Sequence, residues 1–171
     1  GVELLLEDQR TSRLTSVLRP VSATCRSRES LELQFDAEVS HDLGYAVAGA
    51  PLMPDNAENL EPEHGITFGV SLNLLNILLH RAWAIGAYTR RDISIAELGE
   101  VAPTMNLAWR LPPVVAPTWR PGGSALALEF GGGELELYND RGEIQSSWHV
   151  GLTSDLSIVF EGGALRALAE R

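Results

Sequence analysis

The segment 71–86, SLNLLNILLHRAWAIG, constrains this chain most, because it carries helical periodicity in a sequence otherwise patterned for strands. At ~100° per residue, Leu72, Leu74, Leu75, Leu78, Leu79, Ala82, Trp83 and Ile85 project to one side. That arc covers roughly half of the helix surface, wider than the ~100° stripe of an ordinary surface helix. Only Asn73, Asn76, His80 and Arg81 interrupt the remaining face. Ser71 is placed to N-cap the helix and Gly86 to supply the left-handed residue that ends it. At about 1.5 Å per residue it runs ~24 Å, short of the ~20 apolar residues that cross a bilayer. Such a helix has to be wrapped by something apolar: a curved sheet, a lipid, or both.

The strands announce themselves by alternation. Leu31, Leu33, Phe35, Ala37 and Val39 face one way, and Glu32, Gln34, Asp36 and Glu38 the other. Met105, Leu107, Trp109 and Leu111 repeat the pattern up to the Pro112–Pro113 break. It resumes at Leu126, Leu128 and Phe130, then Leu135 and Leu137. A further set is Ile144, Ser146, Trp148 and Val150, followed by Leu156, Ile158 and Phe160. Gly131–Gly133 and Asp140-Arg141-Gly142 read as the turns between them. This is antiparallel sheet with one dry and one wet face. The stretch before about Ser30 carries mixed charge (Arg10, Arg13, Arg19, Arg26 and Arg28 among it) and weak periodicity. It reads as a linker or edge element, residues 1–30, ahead of a single domain over residues 31–171. Pro51–His64 is an acidic, proline-punctuated loop.

A half-apolar helix followed by four or five hairpin-connected strands buries both surfaces only if the sheet curls around the helix. The expected fold class is therefore α+β, a strongly curved antiparallel sheet wrapped around a long apolar helix.

With 171 residues and 44% hydrophobic content, the chain can build one core without metal or disulfide staples. Its formal net charge of −10 repels phosphate backbones and anionic headgroups, which argues against nucleic acid as a partner. All 13 basic residues are Arg, a usage that suits a GC-rich, bacterial genome. The lone Cys25 has no internal disulfide partner. Opening at Gly1 with no apolar leader, the sequence reads as a processed product or an excised domain.

No catalytic constellation emerges. Gly69-Val70-Ser71-Leu72-Asn73 lacks the closing glycine of a nucleophile elbow and reads as a helix cap. Arg10, Arg26 and Arg28 near Cys25 could lower a thiol pKa, but a single cysteine in a charged stretch reads as incidental. His41, Asp42, Asp55, Glu58, Glu61, Glu63 and His64 offer cation ligands without the spacing that would organise them. They read as a solvated acidic loop, so no metal is expected. His80 shares the helix's polar stripe with Asn73 and Asn76, as a surface or loop-bonding trio or as a contact to a ligand headgroup. His149 falls on the wet face of its strand, and Gly131–Gly133 joins two strands rather than opening a helix to cradle phosphate. The chain is expected to be neither an enzyme nor a cofactor carrier.

Ser71-x-x-x-x-Asn76, with Leu78, Leu79, Trp83 and Gly86, precedes a strand ending in Leu111-Pro112-Pro113-Val114-Val115. That arrangement resembles the bactericidal/permeability-increasing and lipid-transfer protein family of the tubular lipid-binding superfamily. The run Leu126–Phe130, Gly131–Gly133 and Leu135–Tyr138 is similar to the strands that follow the Pro-Pro element there, so the resemblance covers about residues 65–160. It implies a half-barrel module that holds lipid or another hydrophobic small molecule between helix and sheet, outside the cytoplasm in periplasm, envelope or medium. The residues it would place in that groove are Leu72, Leu75, Leu78, Leu79, Trp83, Trp109 and Trp148. The sequence is acidic where endotoxin-binding members are basic, which argues against lipopolysaccharide. It also has no long second helix beyond Ala164–Arg171, as though the module were cut short or completed by neighbouring sequence. The alternative is a packed scaffold: a structural or protein-interaction module of a larger surface or envelope protein. Its tryptophans would then be core, and its partner a neighbouring domain or another protein.

Overall fold

A computed structural model describes residues 2–5, 11–27, 30–42, 49, 70–94, 104–120, 123–161 and 164–170, which form two antiparallel sheets and one helix. The first sheet has three strands in the order β1 (Val2–Leu5), β2 (Thr11–Ser27) and β3 (Ser30–His41). Helix α1 (Leu72–Ala84) follows. The second sheet holds β4 (Arg90–Ser94), β5 (Thr104–Trp109), β6 (Val114–Arg120), β7 (Gly123–Tyr138), β8 (Ile144–Glu161) and β9 (Ala164–Glu170). Its order is β4-β5-β7-β8-β9, with β6 also paired to β7. The α+β class and the curved sheet therefore stand: strands as long as 16 and 18 residues, carrying the right-handed twist of all sheets, curl strongly into a half-barrel.

Several sequence boundaries change. The stretch before Ser30, expected as a linker or edge element, supplies β1 and β2, and β2 lies between two neighbours. Its alternation is faint because Ser16 and Pro20 share the face of Leu14 and Leu18. Gly131–Gly133 is not a turn but an interruption within β7, where the register slips between Phe130 and Gly133. Opposite it, residues 110–113 separate β5 from β6, which lie end to end along one edge of β7. The Arg110 N–H donates to the Gly132 carbonyl at 3.0 Å, and Gly132 takes a φ of +62° that few other residues tolerate. The two segments expected as 144–150 and 156–160 are one strand, β8. Ala164–Glu170 forms a strand, β9, paired with β8. Asp140-Arg141-Gly142 does turn β7 into β8, with the Asn139 Oδ1 accepting from the N–H groups of Arg141 and Glu143, each at 2.9 Å.

The helix is short. It has 13 residues, or about 20 Å at ~1.5 Å each. Its caps are those read from sequence: Ser71 accepts the Asn73 N–H at 3.1 Å, and Gly86 sits at φ +83° just beyond Ile85. Its deepest side chains, however, are Asn76 (0% exposed), His80 (5%) and Ala82 (5%), while Leu72, Leu74, Leu75, Leu78 and Leu79 are half-buried. The expected polar stripe therefore faces protein.

Asn76 supplies the reason. Its Oδ1 accepts the Val115 N–H at 2.7 Å and its Nδ2 donates to the Val115 carbonyl at 3.1 Å. Among the described residues strand β6 pairs with β7 on one side only, and a free edge presents backbone groups that need partners. The carboxamide of Asn76 stands in for the next strand. Helix α1 thereby covers the edge of β6 and packs on its other side against β2 and β3. Leu14, Ala82, Ile85 and Ala87 form the buried cluster at this junction, with Tyr88 against it.

Candidate functional site

The apolar residues named from sequence divide into two groups. Trp83 and Trp109 are brought together: the Trp83 indole N–H donates to the Trp109 carbonyl at 2.6 Å. Trp109 in turn meets Phe130 (ring centroids 5.1 Å apart), and Phe130 meets Tyr88 edge-on at 5.5 Å. This aromatic row depends on Gly133. A Cβ there would lie 2.7 Å from both the Trp109 ring and Val150 Cγ2, so only glycine lets those side chains close over β7. His80 adds a tilted contact with Trp83 at 5.7 Å, and burial, followed by the charge of neighbouring Arg81, holds its pKa below the ordinary value.

Trp148 belongs to the second group. It sits on β8 opposite Leu135, on the face shared by Val150, and it is not shielded. Trp148 and Leu152 are 45% and 52% exposed along this strand face. Leu72, Leu75, Leu78 and Leu79 stay on α1, which packs against β6, β2 and β3. The sheet therefore presents an aromatic row, fixed at its helix side by the Trp83 hydrogen bond, that continues into an exposed apolar row on β8.

The opposite face of the same strands is polar. Arg90, Arg91, Asn106, Arg110, Glu134, Glu136 and Tyr138 border a hollow of about 330 Å³, which none of the seven residues assigned to a lipid groove lines. Arg110 and Glu134 pair at 2.5 Å, which lowers the pKa of Glu134, and the Tyr138 hydroxyl donates to Glu136 at 2.6 Å, which raises its own. Arg90 donates to the Ala87 and Thr89 carbonyls, each at 2.8 Å. Beside it Asp92 adopts φ +51° within a bulge, its N–H held by Asn106 Oδ1 at 2.8 Å. These groups answer one another, as on a solvated face. The alternation of Asn106 and Arg110 with Leu107 and Trp109, and of Glu134 and Glu136 with Leu135, marked this face in the sequence.

Cys25 is exposed on β2. Asp42 accepts from the Ser12 hydroxyl at 2.7 Å and the Arg13 N–H at 3.2 Å, bonds that hold its pKa down and tie the end of β3 to β2. Asp55, Glu58, Glu61, Glu63 and His64 lie outside the described residues. Among the described residues no group of three or more His, Cys, Asp or Glu could hold a metal ion, and no helix is long and apolar enough to cross a membrane. Comparison with protein-family models, curated proteins and solved structures returns no match.

Proposed function

We propose that this protein is a non-enzymatic binder of lipid or another hydrophobic ligand, which it takes up on the apolar face of the curled sheet, along Trp83, Trp109 and Trp148. One observation carries the reading: large apolar side chains on β8 remain half-exposed beside a packed aromatic row. Contiguous exposed apolar surface on a soluble domain marks a binding site more often than chance. The residue pattern shared with the bactericidal/permeability-increasing and lipid-transfer proteins supports it as a likeness of sequence. Each methylene moved from water contributes about 0.8 kcal/mol, so a long acyl chain needs no catalytic group to be held. The test is displacement of a fluorescent long-chain fatty acid from the delipidated protein. Saturable binding, weakened at least about tenfold by Trp148→Glu, about 1.4 kcal/mol, is expected. No binding by either form would sink the proposal.

A packed interaction module is the second reading, and a separate observation favours it: the β2–β3 hairpin carries an exposed apolar face of its own.

A further inference from the structure

The hairpin of β2 and β3 extends well past the parts of the molecule that support it. Strand β1 pairs only with Thr11–Leu14, at the root. From Thr15 to Ser27 the ribbon is two strands wide in the described residues. By register Leu18 lies opposite Ala37, Pro20 opposite Phe35, Ala23 opposite Leu33 and Cys25 opposite Leu31. These residues share one face with Leu14 and Val39. At the root that face is buried, with Leu14 and Val39 under 9% exposed. Farther out Leu18, Leu31, Leu33 and Phe35 are 50–61% exposed. The reason is length: α1 covers about 20 Å, whereas the 12 residues of β3 span ~40 Å at ~3.3 Å each. A two-stranded ribbon with a bare apolar face is marginal in water unless another layer covers it.

We infer that a second copy of this chain covers it, two hairpins packing their distal apolar faces together about a two-fold axis. The face is suited to a copy of itself. Arg19, Asp36 and Glu38 lie on the opposite side of the ribbon, where Arg19 bridges Glu38 at 2.6 Å. Among the described side chains the distal apolar face places no charge against its own image, although the chain as a whole carries −10, and these offer a charged partner nothing to pair with. The area is sufficient. Four side chains each exposing about 100 Å², with Pro20, Ala23 and Cys25 around them, bury on the order of 1,000 Å² across two copies, the lower bound of a specific interface. A two-fold contact of this kind is closed and stops at the dimer.

Sedimentation equilibrium of the full chain over a wide concentration range, with far-UV circular dichroism as the control for folding, decides the matter. The expected result is a concentration-dependent rise from 18.6 kDa towards twice that mass, with Cys25 alkylation slowing as dimer forms. Leu33→Glu, at a position already exposed in the single copy, is expected to raise the dissociation constant at least tenfold while the spectrum stays native. Val17→Ser, on the other face, is expected to change nothing. A folded protein that remains at 18.6 kDa throughout overturns the inference. So does a dimer indifferent to Leu33→Glu, or a monomer that floats with neutral phosphatidylcholine vesicles only while Leu33 is present. Fatty-acid displacement is read separately, so failure of the dimer and failure of ligand binding are distinguishable.

Discussion

Gly133 and His80 show how single side chains set this molecule's interior. At Gly133 the absence of a Cβ is structural rather than conformational, because Trp109 and Val150 fill the space it would occupy. Gly133→Ala is expected to cost about 1–3 kcal/mol through overpacking and to lower Tm in a thermal melt, with near-UV circular dichroism changing as the Trp109–Phe130 contact opens. His80 makes stability depend on pH. Burial favours its neutral form, so its folded pKa lies below the ordinary 6.5. Above 6.5 neither folded nor unfolded chain protonates there. As pH falls below 6.5 the unfolded chain takes up the proton first, and stability declines until the folded pKa is passed. Asp42 and Glu134, also lowered, act in the same direction in the acidic range below their own ordinary values. Denaturant melts from about pH 7 to about pH 5 should therefore show falling stability, and His80→Gln should flatten that slope. An unchanged slope in the variant would remove His80 from the account.

At the scale of elements, α1 matters as the joint between two sheets. Its docking on β6 rests on the paired hydrogen bonds of Asn76 to Val115. Asn76→Ala leaves a buried N–H and a buried carbonyl without partners, for which about 2–6 kcal/mol is expected from the ~1–3 kcal/mol cost of each. Urea denaturation measures it, and a loss under about 0.5 kcal/mol, typical of a surface change, would mean that the amide is replaceable by water. The helix itself was legible: its caps and leucines sit where the periodicity and Ser71 and Gly86 put them. That its polar side would be buried as well was not. Hydropathy ranks leucine above asparagine for burial, whereas the free edge of β6 demanded a side chain that both donates and accepts. The strands were legible wherever apolar residues alternate, as in β3 and β5. They were lost where Ser16 and Pro20 dilute the alternation of β2, and split where three glycines imitate a turn inside β7. Exposure of Trp148 was equally hidden, because a dry strand face looks the same in sequence whether or not a layer covers it.

At the scale of the whole molecule, two sheets meet across one short helix, and each keeps apolar surface that the helix does not reach. The row on β8 is assigned to a hydrophobic ligand and the distal hairpin to a second copy. Ligand binding is the central claim. Native mass spectrometry of the purified chain, before and after organic extraction, tests it most directly. The expected spectrum shows the 18.6 kDa chain carrying a lipid-sized adduct that extraction removes, that added long-chain fatty acid restores, and that Leu152→Glu combined with Trp148→Glu abolishes while the fold persists. A bare chain before extraction, with no adduct formed when fatty acid is added to the native protein, would contradict it.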